Sequence, residues 1–454
     1  MTLTARNVLN IVGDDISKSV LAAFGAQLCQ PPTPTLTALA ANGVRFNNFI
    51  VTPVCSSTRG SALTGRRGFR TGLPGLVDND DAGPLPLNEI IIPRALSLAG
   101  GSQIDTALIG KNHMSDPRNG KWMYPMTAGF NTHKGSLRNL RKDGGTGHYS
   151  WARGVDGRVA IETTYSATKQ TDDAIAWING HGTTQNWFCW LAYNIPHTPH
   201  DRPPAASYTN AAYSAFDPAK PYPLPNATPV PGENETPYYL AAVQTLDSEI
   251  ARLTAAITPA ILANTLILFW PDNGTTPSVV TPPFNPDHGK FTVYEQGTNV
   301  GLIASGAGIS APGRVYNGLV DVVDIFSTIL DVYGVDVTKV VPAGRTIDGV
   351  SFKSVLANTG SSSRTRSFSE LFEDNVKYPD PATIGSASQR AWRDAQYKLI
   401  VKYNEAGVRQ PDEFYDVLAD PQEASNLLAG ALSAPQQAAY TSHQQELAAY
   451  LATV

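Results

Sequence analysis

Apolar residues in this chain fall into short continuous runs that stop at clusters of Gly, Pro, Asp or His. That rhythm predicts buried strands of an α/β sheet whose ends carry the chemistry. Asn7 to Val12 is such a run, rich in β-branched residues and closed by Gly13, Asp14 and Asp15, and it reads as a buried strand delivering two carboxylates. Val44 to Val51, Ile104 to Ile109, Trp187 to Asn194 and Thr265 to Trp270 read as further strands, with Gly301 to Ala304 after them. Thr33 to Ala40, with an early Pro, predicts a short helix, and Thr171 to Ile178 predicts another. Tyr239, Val243, Leu246, Ile250 and Leu253 recur at helical spacing, so that stripe belongs to the core and Asp247 lies away from it. A helix from Asp321 to Tyr333 closes the main layer.

The pattern changes at 357–363, where Asn, Gly and Ser predict a linker. Beyond it, Arg366 to Phe372, Arg390 to Val401 and Glu413 to Val417 read as antiparallel strands, and 434–451 as a closing helix. The expected domains are therefore a catalytic α/β unit over 1–357 and a smaller antiparallel subdomain with its terminal helix over 364–454. Residues 114–165 and 201–235 show weak periodicity and read as long insertions.

Composition narrows the function classes. A chain of 454 residues with 42% hydrophobic and 16% charged content can bury a large core. A formal net charge of -5 argues against a general nucleic-acid or anionic-membrane binder, so positive charge must be local to a site. No apolar run reaches the roughly 18 residues needed to span a bilayer, and the start lacks a leader pattern. The expectation is a cytoplasmic protein, or a periplasmic or secreted one whose leader has been removed. Cys29, Cys55 and Cys189 leave at least one thiol unpaired and fit no zinc spacing. Cys189, inside an apolar run, reads as core.

The strand ends suit a cation and an anion together. Asp14 and Asp15, and later Asp272 and Asn273, offer hard oxygen donors for a divalent metal. Taken alone, Asp-Asp is an ordinary helix start and Asp-Asn-Gly an ordinary turn. Lys111 and His113 follow the third strand, and His197 and His200 stand in a loop stiffened by proline. Cys55 opens a helix with Arg59 four residues on, where backbone N–H groups and a guanidinium would face an anion. A lone Cys among Ser and Thr is equally a small buried residue.

The stretch from Val54 to Arg66 also resembles the nucleophile signature of the type I, formylglycine-dependent sulfatases of the alkaline phosphatase superfamily. That signature is C-x-P-x-R followed by T-G-R, here Cys55, Arg59 and Thr64 to Arg66, with Ser57 at the Pro position. Gly110 to His113 resembles the family's G-K-x-H, Pro196 to His200 its P-H-x-P-H, and Lys290 to Gly297 its K-x-x-x-Y-E-G-G. Thr298, Asn299 and Val300 stand where the family continues with Arg-Val-Pro, and His288 has no counterpart. The resemblance implies an alkaline-phosphatase-like sandwich with a large mixed, mostly parallel central sheet flanked by helices. It implies that Asp14, Asp15, Asp272 and Asn273 hold one Ca²⁺ (or Mg²⁺ or Mn²⁺), that Cys55, Arg59, Lys111, His113, His197 and Lys290 are catalytic, and that His200 binds substrate. It further implies a formylglycine-generating enzyme that oxidises Cys55, giving an aldehyde hydrate whose one hydroxyl attacks sulfur while the other later expels sulfate. The implied activity is arylsulfatase-like hydrolysis of a small anionic ester. A phosphodiester or phosphonate monoester would need the same groups, and a binding protein that has lost turnover would keep them. A homo-oligomer is compatible with each.

Overall fold

The computed structural model describes residues 5–25, 30–100, 104–209, 228–229, 234–372, 375 and 387–453. Cys29 and most of the insertion expected over 201–235 lie outside the described residues. Strands β1 (Asn7–Gly13), β2 (Gly43–Ile50), β3 (Ile104–Gly110), β4 (Thr132–Gly135), β5 (Trp151–Val155), β6 (Arg158–Glu162), β7 (Asn186–Ala192), β8 (Thr265–Pro271), β9 (Leu302–Gly306) and β10 (Arg314–Asp321) form one ten-stranded sheet. Their order is β10-β2-β9-β8-β1-β7-β3-β4-β5-β6. β1 is central and pairs in parallel with β7 and β8, Leu9 facing Cys189 on one side and Ile267 on the other.

Continuous apolar runs form these strands because both faces of the sheet are covered. Val8 and Val12 of β1 point into one core layer, and Leu9 and Ile11 into the other. Helices α1 (Pro34–Ala41), α3 (Ser166–Gly180) and α4 (Thr236–Ala256) cover the second layer, while α2 (Cys55–Thr64) and α5 (Asp324–Val332) cover the first. β1, β7, β3 and β8 run parallel, and β2 shares their direction because β9 is antiparallel to both β2 and β8. Their carboxyl ends therefore open on one edge of the sheet, where α/β sheets bind ligands. Among the described residues no helix is long and apolar enough to cross a membrane.

A second, antiparallel sheet has the order β11 (Ser367–Phe372), β12 (Ser388–Arg393), β13 (Tyr397–Tyr403), β14 (Glu413–Asp416), with α6 (Ala434–Leu451) packed on it. Val293 and Tyr294 of the main unit share an apolar cluster with Ala391 and Ile400, which joins the two sheets.

Several expectations change. The weakly periodic 114–165 contains β4, β5 and β6, which extend the main sheet at one edge. β6 is largely exposed and β4 and β5 are only partly buried, so no continuous apolar run marks them. The strand expected over Arg390 to Val401 is two strands, because residues 394–396 turn the chain into a hairpin. Asp321 ends β10 rather than starting a helix. Asp247 is buried: its carboxylate accepts from the Thr35 and Leu36 N–H groups at 3.0 and 2.8 Å and so caps α1. Cys189 is buried in the core, as its apolar run predicts.

Candidate active site

The turn from β2 into α2 places Cys55 at the first residue of a helix that is buried along its whole length. Val54 before it is extended and provides no side-chain cap, which leaves the positive end of the helix to the pocket around the thiol. Thr52 Oγ1 lies 2.6 Å from both Ser57 Oγ and Thr58 Oγ1, so hydroxyl groups knit the turn where the family signature has Pro. Gly65 ends α2 at a φ of 68°, and a Cβ there would meet the Phe326 ring at 2.7 Å.

Five strand ends meet at this thiol. After β1, Asp14 Oδ1 lies 3.5 Å from Cys55 Sγ, and Asp14 Oδ2 accepts from Lys111 Nζ at 2.7 Å. Lys111, after β3, also lies 3.6 Å from Cys55 Sγ. After β8, Asp272 Oδ2 accepts both Nε and Nη2 of Arg59, at 3.0 and 2.7 Å, while Asp272 Oδ1 accepts the Asp15 N–H. Lys290 Nζ bonds the Asp15 carboxylate at 2.7 and 2.8 Å, and Asn273 Nδ2 donates to Asp15 Oδ1 at 2.7 Å. After β7, His197 Nε2 lies 3.8 Å from Asp15 Oδ2.

Three carboxylates and three cations, all buried, balance one another. Burial opposes the charge on Asp14 and Asp15, but Lys111 and His197 pull the first, and Lys290 and His197 the second, below the ordinary carboxylate range. Burial, aided by Asp272, pushes the Cys55 thiol well above its usual value. Burial and Lys290 hold His197 down to about 4, so its ring is neutral near pH 7. Its Nδ1 lies 2.8 Å from the Thr198 carbonyl and therefore donates, which leaves an Nε2 lone pair facing Asp15. Two acceptors so placed suit a cation between them.

The oxygen donors here fit a hard divalent ion. Ligand atoms of Asp14, Asp15, Cys55 and His197 lie within 4.8 Å of one another. Asn273 Oδ1 is buried without a hydrogen-bond partner, an orphan acceptor of the kind such an ion satisfies. His113 is also buried at this edge, with a φ of 61° and both ring nitrogens unpartnered. Burial, then Lys111 and Arg59, keep it neutral, well below the ordinary histidine value. His200 differs: its Nδ1 bonds Glu235 Oε2 at 3.0 Å and its ring stands edge-on to Tyr239, outside the ion cluster. His288 stacks on Tyr294 with centroids 3.7 Å apart.

Some contributors carry no signal in the sequence. Tyr239, part of a helical core stripe, donates its hydroxyl to the Asp15 carbonyl at 2.8 Å. His148, from the weakly periodic insertion, lies with Nε2 3.2 Å from the His197 carbonyl and Nδ1 2.7 Å from Ser166 Oγ. A carbonyl only accepts, so Nε2 carries the proton and steadies the His197 loop. Only the fold brings these groups to the site.

Acids, cations and a thiol gathered at one edge of an α/β sheet define a class, the hydrolases of anionic esters. A sequence model of the sulfatase family matches residues 6–335, and the chain belongs to that family. A model for the C-terminal region of N-sulphoglucosamine sulphohydrolases matches 287–450. The chain is 26% identical over 376 residues to the uncharacterized sulfatase YdeN of Escherichia coli, covering 77% of this chain and 60% of that protein. It is 24% identical over 445 residues to arylsulfatase A of Bos taurus, covering 93% and 83%. The crystal structure of Ps i-CgsB superposes with a TM-score of 0.76 at 20% identity, covering 99% of this chain and 93% of that one, a likeness of fold.

Proposed function

We propose that this sulfatase hydrolyses sulfate esters through a nucleophile derived from Cys55, within a catalytic unit spanning 1–357 that carries a C-terminal subdomain over 364–454. The observation that carries the reading is the convergence on one buried sulfur of Asp14 at 3.5 Å and Lys111 at 3.6 Å, with Arg59 and Lys290 on the adjoining carboxylates. Asp14, Asp15, Asp272 and Asn273 would hold Ca²⁺ or a similar ion, which supplies Lewis acidity when bound. Formylglycine, where Cys55 is oxidised, supplies a hydroxyl pair in place of the thiol.

The chain's own residues then have distinct tasks. Lys111 and Lys290 neutralise charge that spreads over the sulfuryl oxygens in the transition state, in a dry site where such charges act strongly. Arg59 holds Asp272 in place through two N–H groups and anchors itself on the Lys111 carbonyl at 2.8 Å. Neutral His113 and His197 offer ring nitrogens for donating to or accepting from the substrate, and His148 keeps the His197 loop in position. A sulfate monoester and an ionised nucleophile together match the charge of a divalent ion, so substrate and metal enter a cluster that is already balanced.

The test is the mass of the tryptic peptide containing Cys55, after expression with and without a formylglycine-generating enzyme. It is paired with turnover of sulfate, phosphodiester and phosphonate esters. A loss of about 18 Da, the arithmetic of thiol to aldehyde, together with sulfate release, is expected. An unmodified thiol in both samples with no sulfate release would count against the reading.

A further inference from the structure

β6 ends the ten-stranded sheet, and among the described residues no strand pairs with its outer edge. The hairpin register decides which main-chain groups face outward there. The Asp156 N–H, in the turn between β5 and β6, donates to the His133 carbonyl of β4 at 2.8 Å. Main-chain groups alternate in direction along a strand, so Trp151, Arg153 and Val155 turn toward β6 and bond their partners Glu162, Ala160 and Arg158. Val159 and Ile161 therefore present their N–H and C=O groups at the free edge. Their side chains are 45% and 51% exposed, on the face where Trp122 lies against Gly154, the partner of Val159. Met123, 48% exposed, packs at the turn by Gly157. An edge so exposed and apolar is a template for another strand. The opposite rim is blunted: β10 breaks register between Tyr316 and Leu319, and the Tyr316 hydroxyl accepts the Ser362 N–H at 3.0 Å.

The side chains of β6 complement their own reverse. Arg158, Val159, Ala160, Ile161 and Glu162 set a cation and an acid at the two ends, β-branched residues inside them and the smallest side chain at the centre. Turned about a two-fold axis through Ala160, a second copy brings Val159 opposite Ile161 and Arg158 opposite Glu162 on both sides of the axis. The same axis makes Val159 and Ile161, whose main-chain groups are free, the hydrogen-bonded pair, and leaves Ala160 facing its own copy in the unbonded position. Among the described residues the Arg158 side chain has no hydrogen-bond or ion-pair partner. Glu162 Oε1 accepts the Thr163 and Thr164 N–H groups at 2.9 Å, which fixes the carboxylate at the strand's end and leaves Oε2 for a cation. A parallel pairing in register would set Arg158 on Arg158 and Glu162 on Glu162, so charge selects the antiparallel one. We propose that the free edge of β6 is a homodimer interface, in which two copies of this chain pair antiparallel about Ala160 and join their sheets. The paired strands are short, so the dimer is weak and reversible, with a Kd on the order of 10 μM. Each edge covers the other, so assembly stops at two.

Sedimentation velocity of the full chain over about 1 to 300 μM tests this, with the average mass expected to climb from monomer toward dimer and no further. Arg158→Glu and Glu162→Arg, each of which sets like charges opposite one another, are expected to weaken association about tenfold or more. The double variant restores opposite charges with their places exchanged and should return to within about threefold of the wild type. Val159→Lys, a charge at the outer edge, serves as a further pairing-deficient variant should either single variant fold poorly. Ala160→Cys tests the register: Cα atoms of an unbonded antiparallel pair stand about 4.5 Å apart, within disulfide reach, so mild oxidation should join two chains through position 160, as read from the mass of the linked tryptic peptide. A chain that stays monomeric across the range overturns the proposal. So does a dimer indifferent to Arg158→Glu and Val159→Lys, a double variant no better than the single ones, or growth beyond two copies.

Discussion

At its first residue α2 carries Cys55 among Asp14, Lys111 and Arg59; just past its last, beyond Gly65, lies another buried ionic cluster. There Arg67 bonds Asp321 at 2.6 Å, Arg70 bonds Asp348 at 3.0 Å, and Arg364 bonds Asp324. Ser367 Oγ donates to Asp321 at 2.5 Å and so ties β11 to the main sheet. The bonds at this end form between cation and acid pairs, and the Arg67 guanidinium that keeps two nitrogens unpaired lies over the Phe368 ring at 5.5 Å. At the thiol end three carboxylates share three cations around one sulfur, and both a spare acceptor, Asn273 Oδ1, and a spare histidine, His113, are left inside. Buried ion pairs alone therefore do not mark a site, since both ends have them. Convergence on a reactive atom, with polar groups left for a ligand, separates the two.

Substitutions can break this contrast. The largest effect is expected from Cys55→Ala, which should lower sulfate-ester turnover by about 10³-fold or more in a steady-state assay while leaving the melting temperature nearly unchanged. Arg67→Ala should do the reverse. It leaves Asp321 buried without its charge partner and is expected to cost about 3–5 kcal/mol in urea unfolding, with turnover per folded molecule retained. An Arg67 variant that stays stable but loses turnover would erase the distinction between the ends.

Chelation acts on the thiol end. Removing a resident divalent ion should lower both turnover and thermal stability, by about 2.7 kcal/mol if the free ion had stood near a hundred times its Kd. Added Ca²⁺ should restore both. Melting curves that ignore chelator would place the metal role of Asp14, Asp15, Asp272 and Asn273 in error.

The smallest effect sharpens the other end. Glu370, whose Oε1 accepts the Phe69 N–H at 3.1 Å, is pushed by burial from its ordinary 4.5 up to about 7. Between those values the folded state binds more protons than the unfolded one. The stability this contributes is full below about 4.5 and is lost as pH rises through about 7. Glu370→Gln keeps the amide-accepting oxygen and removes the titration. It should therefore flatten the fall in melting temperature between about pH 5 and 8. An unchanged slope would show that Glu370 does not titrate there.

The parts of the molecule legible from its sequence are those that a segment encodes by itself. β1, β7 and β8 announce themselves because a strand covered on both faces must be apolar throughout, and the polar residues that end each run fall at the edge where ligands bind. β4, β5 and β6 escaped that reading, since strands at a sheet's rim are only partly buried and mix Arg, Lys and Gly into the pattern. Tyr239 and His148 escaped it for another reason: the same residue in the same local setting is core filler or a support of the site depending on what lies opposite.

By itself, then, the sequence determined which segments are buried and which acids, cations and thiol stand at their ends, because burial and helix or strand periodicity are local properties of the chain. Only the tertiary structure decided who meets whom. Asp15 is held by Lys290 from 275 positions away, Arg59 by Asp272 from 213, and β2 reaches the active edge only because β9, running backwards, separates it from β8. Such pairings depend on the strand order of the whole sheet, since a charge finds its partner through space and not along the chain.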